Sequence, residues 1–193
     1  MSFQILRTVS IHQMVAVNIL ILLAIGFVAS TAIADEHRFS DHYAMQIDPD
    51  AKQQLGEQTY NEVVAFFNLA EKAIETKDLP MLMALYSENY RNGEHDKKSA
   101  EQIWKRIFSR FEGMATHHYM KFVNVSADKN MVILKCSGLL LGVPDPEERA
   151  ITVDNWTLQD HVLVKEAGVW KLIGTYGKDH KRLWFDKPMH PLF

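Results

Sequence analysis

The sequence predicts an α+β domain in which helices precede strands. Between residues 57 and 113, apolar side chains recur every three or four positions, the spacing of helices with one buried face. From residue 115 onward, apolar and polar side chains alternate as in strands, and turn-forming residues separate four such runs. Because strands joined by short turns pair antiparallel, we expect three helices packed on a mostly antiparallel sheet.

Residues 1–34 have the composition of a signal peptide. Arg7 precedes an apolar run over residues 14–29, and the small residues at 32–34 give the A-x-A pattern of a cleavage site. We therefore expect a mature chain that begins at Asp35 and is exported to a periplasm or secreted, with no stable membrane anchor after cleavage. An uncleaved anchor is the alternative, but the apolar run is shorter than the roughly 20 residues that span a bilayer.

Three helices are predicted between the leader and the sheet. Thr59 and Ser99 each begin the S/T-x-x-E/Q spacing of a capping box, and an apolar stripe follows each one. Asp78 is placed to cap a helix over LPMLMALYSENY, which RNGEHD would end. Gly113 is placed to end the third helix.

Four extended runs follow, at residues 116–125, 131–141, 150–165 and 169–177. The third run is long enough to need a bend or a bulge, so the sheet is expected to be strongly bent. We divide the chain into the signal peptide, a polar leader at 35–56, a domain at 57–178 and a C-terminal tail at 179–193.

Composition restricts the partners of this domain. The chain has 24 acidic and 21 basic residues, so nothing favours nucleic acid as a partner. Its single cysteine, Cys136, excludes an intramolecular disulfide, and its apolar neighbours predict an inert buried thiol.

The segments KDLPMLMALYSENYRNG and GVWKLIGTYG, with three helices before a bent sheet, resemble the nuclear transport factor 2-like superfamily, which includes ketosteroid isomerases and polyketide cyclases. The resemblance covers roughly residues 57–178. It implies a cone-shaped domain with an interior pocket and frequent homodimers through the sheet. It transfers no catalytic set, because enzymes of this fold use different residues for different reactions.

The histidine pair in THHYMKFVNV is not expected to chelate one metal ion. Adjacent strand residues point to opposite faces, so only one of His117 and His118 can reach the interior. His118 shares a face with Met120 and Phe122 and is therefore the candidate pocket residue. A hydrogen-bonded core histidine is the default interpretation, and a catalytic residue is the alternative.

Asp154 and Asp160 are the candidate general bases. If no bulge intervenes, both share a face with Trp156, and burial would raise the pKa of a carboxyl group there. Asp160 is the first choice because it lies nearer the middle of its strand. In the alternative, both carboxylates lie beyond the bend in solvent or bind turn amides.

Candidate ligand-binding residues are aromatic. Three tyrosines could donate hydrogen bonds to a bound oxygen, and a tryptophan on the predicted inner face could contact an apolar ligand. These residues are Tyr86, Tyr90, Tyr176 and Trp156.

Three classes of function remain. The first is an exported domain that holds a small apolar or amphipathic ligand in the cone. The second is a cofactor-free isomerase, lyase or hydrolase in which Asp160 or Asp154 moves a proton and His118 or a tyrosine stabilises negative charge. The third is a dimer-forming accessory domain whose cavity is filled by its own side chains.

The two ends of the mature chain carry separate signals. An N-terminal Asp35-Glu36-His37 would offer a square-planar nitrogen set for copper(II), with His37 as the imidazole ligand, and no other cofactor is expected. The aromatic residues of the tail, including Trp184, Phe185 and Phe193, predict that it docks onto the domain or across a dimer.

Overall fold

The computed structural model describes residues 45–145, 149–178 and 190–193, which lie in a compact unit of residues 39–193. This unit is a mixed α+β fold. Its helices are α1 (Asp50–Leu55), α2 (Glu57–Glu75), α3 (Leu79–Ala84) and α4 (Lys97–Arg110). Its strands are β1 (Gln46–Ile47), β2 (Tyr86–Asn92), β3 (His95–Asp96), β4 (Gly113–Val125), β5 (Met131–Val143), β6 (Ile151–Glu166) and β7 (Val169–Tyr176).

All seven strands form one curled, unclosed sheet in the order β1-β4-β5-β6-β7-β2-β3. The strands β4 to β7 pair antiparallel with their sequence neighbours, as their short connections dictate. The pairs β1–β4 and β2–β7 are parallel, so both join strands that are distant in sequence. The sheet thus wraps residues from both ends of the described chain around one interior.

The helices bury the stripes that the sequence predicts, but two begin at residues other than those expected. Helix α2 buries its apolar stripe, and its N-cap is Gly56 instead of Thr59. Asp78 caps α3 as expected, with its side chain accepting a hydrogen bond from the Met81 amide at 2.9 Å. Helix α4 is capped by Asp96, whose carboxylate accepts from the Ser99 amide, so Ser99 lies in the first turn.

The prediction of a helix through LPMLMALYSENY was wrong beyond Ala84. Helix α3 ends there, and the YSENY sequence belongs to β2. Pairing with β7 offers these residues a parallel ladder, and it buries Tyr86, Tyr90 and Asn92 on the inner face. Tertiary pairing therefore overrides the local helical pattern.

The ends of the chain fall partly outside the described residues. The signal peptide at 1–34, the His37 copper site, and Trp184 and Phe185 of the tail lie there, and they stay predictions. The expected polar leader at 35–56 contains β1 and α1, and α1 packs Ala51 and Leu55 into the core. No helix in the described ranges is long and apolar enough to cross a membrane.

A β-bulge in β6 changes which residues face the interior. Cys136 pairs with Gln159 and Gly138 with Trp156, so Ser137 lies opposite two residues, Thr157 and Leu158. Leu158 has a positive φ of 51° and is half exposed. The extra residue shifts the alternation, so that the inward positions after the bulge are 159, 161 and 163.

Candidate functional site

The interior between the sheet, α2 and α4 is filled largely by the chain's own residues 190–193, here called the C-terminal segment. Leu192 and Phe193 are buried, and the Phe193 ring stacks on Phe66 and meets Phe67 and Tyr86 edge-on. A residual cavity of about 10 Å³ remains beside them, roughly the room that one water molecule needs. Its lining includes Trp104, Thr116, Asp154, Trp156, Leu192 and Phe193.

Buried polar side chains hold the main chain of the C-terminal segment. The hydroxyl of Tyr86 donates to the Leu192 oxygen at 2.7 Å, and Thr175 donates to the Pro191 oxygen at 2.8 Å. The Asn92 side chain donates to the Pro191 and His190 oxygens and accepts from the His190 amide. The inner wall is therefore built to donate hydrogen bonds to oxygen acceptors.

His118 lies at the inner end of this wall, beside a carboxylate from α2. Its Nδ1 is 3.2 Å from the Glu71 carboxylate, and its Nε2 is 3.3 Å from the main-chain oxygen of Phe193. Glu71 is buried on the apolar stripe of α2 and accepts a second hydrogen bond from the Met45 amide at 3.1 Å. His118 is fully buried while His117 is partly exposed, so the two histidines occupy opposite faces as the strand alternation requires.

Two further groups with lone pairs lie next to His118 on the neighbouring strands. The Trp156 indole donates a hydrogen bond to the Cys136 sulfur at 3.1 Å, and burial raises the pKa of that thiol to about 12. His161 is fully buried, with its ring centroid 6.2 Å from that of His118. Burial, reinforced by the nearby His118, lowers the pKa of His161 to about 4, so its ring is neutral near pH 7.

The expectation that Asp154 and Asp160 share the inner face was wrong, because the bulge lies between them. Asp154 is buried and lines the residual cavity. Asp160 is on the outer face, where Lys135 pairs with it at 2.6 Å and both side chains are partly exposed. Asp160 therefore lies away from the interior that it was expected to serve.

The aromatic candidates also divide between the interior and the outer face. Tyr86, Tyr90 and Trp156 lie inside, whereas Tyr176 is 45% exposed. Burial raises the pKa of both inner tyrosines, Tyr86 and Tyr90, well above the ordinary range of a phenol. Both hydroxyls thus stay protonated and can act only as neutral donors or acceptors.

Four residues of the interior were missed in the sequence: Glu71, Asn92, Thr175 and His161. Glu71 could have been found, because it falls in phase with the apolar stripe of α2, where a carboxylate is out of place. His161 could not, because its face depends on the bulge. Asn92 and Thr175 became recognisable only once the C-terminal segment was seen to lie between them.

No protein-family model matches the chain, and no curated protein matches it in sequence. Solved structures do match it in shape. A protein assigned as a scytalone dehydratase from Novosphingobium aromaticivorans DSM 12444 aligns with a TM-score of 0.53 and 13% identity, over 63% of this chain and 83% of that chain. A protein assigned as an aromatic ring hydroxylase from the same species aligns with a TM-score of 0.51 and 12% identity, over 61% of this chain and 86% of that chain.

Bd1075 of Bdellovibrio bacteriovorus is also similar, with a TM-score of 0.48 and 14% identity over 60% of this chain. The match covers 38% of Bd1075, so this chain spans about two fifths of that protein. At such identities the likeness concerns the fold alone. The structural neighbours are nuclear transport factor 2-like proteins, and the chain shares their mixed α+β fold with its curled, unclosed sheet.

Proposed function

We propose that the chain is an exported, cone-shaped, small-molecule-binding domain, in which three helices and the bent sheet hold an apolar or amphipathic ligand. The C-terminal segment takes the ligand's place when no ligand is bound. The observation that carries this proposal is the set of buried donors that the segment satisfies. A domain that needed only a filled core would bury apolar groups there and would avoid the cost of desolvating polar ones.

The contacts of the segment define the chemistry of the ligand. Tyr86, Asn92 and Thr175 donate to main-chain oxygens, so they would suit a carbonyl, ester or hydroxyl oxygen. Phe66 and Phe67 contact the Phe193 ring and would suit an aromatic or alicyclic body. The ligand class is therefore an apolar ring system that carries one or more oxygen acceptors.

Competition between segment and ligand sets the expected affinity. If the segment docks with about 2 kcal/mol, only about 3% of the molecules are open, and the apparent affinity is about thirtyfold weaker than that of the open state. A variant whose segment docks poorly should therefore bind more tightly.

The test is binding of an anilinonaphthalene sulfonate probe to the full chain and to Phe193→Ala, followed by fluorescence. We expect the variant to bind the probe at least tenfold more tightly. Tyr119→Ala, at an exposed tyrosine on the outer face of β4, should leave the affinity unchanged. If Phe193→Ala remains folded by circular dichroism but binds no more tightly than the parent, the interior is a filled core and the proposal is wrong.

A second candidate is a cofactor-free isomerase, lyase or hydrolase, and the pairing of His118 with Glu71 favours it. A carboxylate at Nδ1 orients the ring and fixes its tautomer, so that Nε2 carries the lone pair that a general base needs. Asp154, on the cavity wall, is the other candidate base. Metal-free Phe193→Ala protein should then cleave 5-nitrobenzisoxazole, a general substrate for proton abstraction, and His118→Gln in the same background should abolish the turnover. Turnover that survives in both His118→Gln and Asp154→Asn would exclude these bases.

Export and dimerisation are part of the proposal and have their own measurements. Material recovered from the periplasm or medium should have the intact mass of a chain that begins at Asp35. Light scattering should give the mass of a homodimer, and a monomer at micromolar concentration would contradict this arrangement.

A further inference from the structure

We propose that His118, Cys136 and His161 form a buried site for one thiophilic divalent metal ion, zinc(II) in the first instance. The site goes beyond the proposed function and does not depend on it. Its three donor atoms lie within 4.8 Å of one another, and all three residues are buried. Bond lengths of about 2.0 Å to nitrogen and 2.3 Å to sulfur place donor atoms roughly 3.5 Å apart in a tetrahedral site, so small side-chain rotations suffice to close it.

Three adjacent strands of the curled sheet supply the donors. His118, Cys136 and His161 come from β4, β5 and β6, which are adjacent strands. Cys136 pairs with Met120 on one side and with Gln159 on the other. His118 pairs with Gly138 and His161 with Leu134, so the two histidines flank Cys136 from opposite directions along β5. The curl of the sheet, with the bulge that turns His161 inward, brings the two rings to a centroid distance of 6.2 Å.

Both ring nitrogens of His118 face hydrogen-bond acceptors, which a neutral ring cannot satisfy together. Its Nδ1 faces the Glu71 carboxylate and its Nε2 faces the Phe193 oxygen, and both of these groups are acceptors. A neutral imidazole has one N–H and cannot donate to both. Either a second proton or a metal ion at Nε2 resolves the conflict.

His161 distinguishes between these two solutions. Neither of its ring nitrogens has a hydrogen-bond partner among the described residues, although the side chain is wholly buried. Main-chain groups of Phe193 and Gln159 lie nearby and only partly offset its desolvation. A second proton on His118 would leave His161 unsatisfied, whereas a metal ion would bind both rings.

The surroundings of the donors suit a divalent ion in charge and orientation. Glu71 holds Nδ1 of His118 in the carboxylate–histidine arrangement that supports many metal ligands. The Trp156 indole donates to the Cys136 sulfur and would stabilise the thiolate that the metal requires. One thiolate and one carboxylate would balance the two positive charges, and the Phe193 main-chain oxygen is a candidate fourth donor.

The experiment loads the full chain with zinc(II) or cobalt(II) during refolding, because the site is enclosed. Native mass spectrometry should find one zinc ion per chain, retained after brief chelation. Cobalt-loaded protein should show the sulfur-to-cobalt charge-transfer band of thiolate ligation. Cys136→Ser should abolish this band, and the control His117→Ala, on the opposite face, should keep it. Cobalt at any surface or N-terminal site lacks the band.

The melting temperature of His161→Leu distinguishes a metal ligand from a histidine with only a structural role. In metal-free protein the change removes two unpartnered nitrogens, so the melting temperature should rise or stay the same. In zinc-loaded protein it should fall below that of the parent, because the metal no longer binds. The proposal is overturned if folded parent protein shows no thiolate band, or if His161→Leu binds zinc as tightly as the parent does.

Discussion

The substitution Asn92→Ala tests whether the C-terminal segment is held in the interior by its polar contacts. Three hydrogen bonds join the buried Asn92 side chain to His190 and Pro191. At roughly 1 kcal/mol net for each bond, their loss predicts a destabilisation of about 3 kcal/mol. The loss cannot exceed the docking free energy of the segment, because the segment leaves once docking becomes unfavourable. If the segment docks with about 2 kcal/mol, the free energy of unfolding should fall by about that amount.

Because the docking free energy limits the loss of stability from any variant that weakens docking, a double-mutant cycle can test this prediction. Phe193→Ala removes a buried aromatic ring, and such a change costs about 3–5 kcal/mol in a rigid core. Here the loss of stability should stop at the docking free energy of the segment, about 2 kcal/mol. The double variant should then be no less stable than either single variant in urea unfolding. Asn155→Ala, at an exposed asparagine, is the matched control and should change stability by less than about 0.5 kcal/mol. Additive losses in the double variant would refute the reasoning.

Three further substitutions test other parts of the fold. Hydrogen bonds, first from Lys165 and then from Trp170, lower the pKa of Glu62 to about 2, so Glu62→Gln should cost about 1 kcal/mol at pH 7 after allowing for solvent screening. That cost is fully present above pH 4.5, and urea titrations should show it vanishing as the pH falls toward 2. A Cβ at Gly138 would lie 2.6 Å from the Trp156 ring, so Gly138→Ala should lower stability by about 3 kcal/mol, visible in thermal melts and in Trp fluorescence. Leu158→Gly should raise the melting temperature by a few degrees, because it relieves a positive φ worth about 1 kcal/mol; a lower value would contradict this account of the bulge.

Local periodicity in the sequence predicts individual helices and strands, but it does not predict which distant strands pair. The stripes of α2 and α4 and the alternation of β4 to β7 are visible in the sequence because each depends on residues close along the chain. The parallel pairing of β2 with β7 depends on residues about 85 positions apart. No local pattern encodes such pairing, so YSENY was predicted as a helix.

The candidate site was predicted less completely, for two physical reasons. The inward position of His118 follows from alternation within one strand, and this part of the site was predicted. The faces of Asp160 and His161 depend on one extra residue in β6, and a bulge reverses every later assignment. The C-terminal segment contacts residues that are distant in the sequence. The roles of Asn92 and Thr175, which bind this segment, could therefore not be predicted.

The bulge at Leu158 separates two properties that a strand usually couples, the direction of its side chains and its curvature. Removing Leu158 would leave Thr157 directly before Gln159, so Trp156, Gln159 and His161 would keep their inward direction in an uninterrupted strand. The local bend and extra twist that a bulge adds would be lost. A chain that lacks this one residue would therefore keep the chemistry of its inner wall while changing the width of the space that the wall encloses.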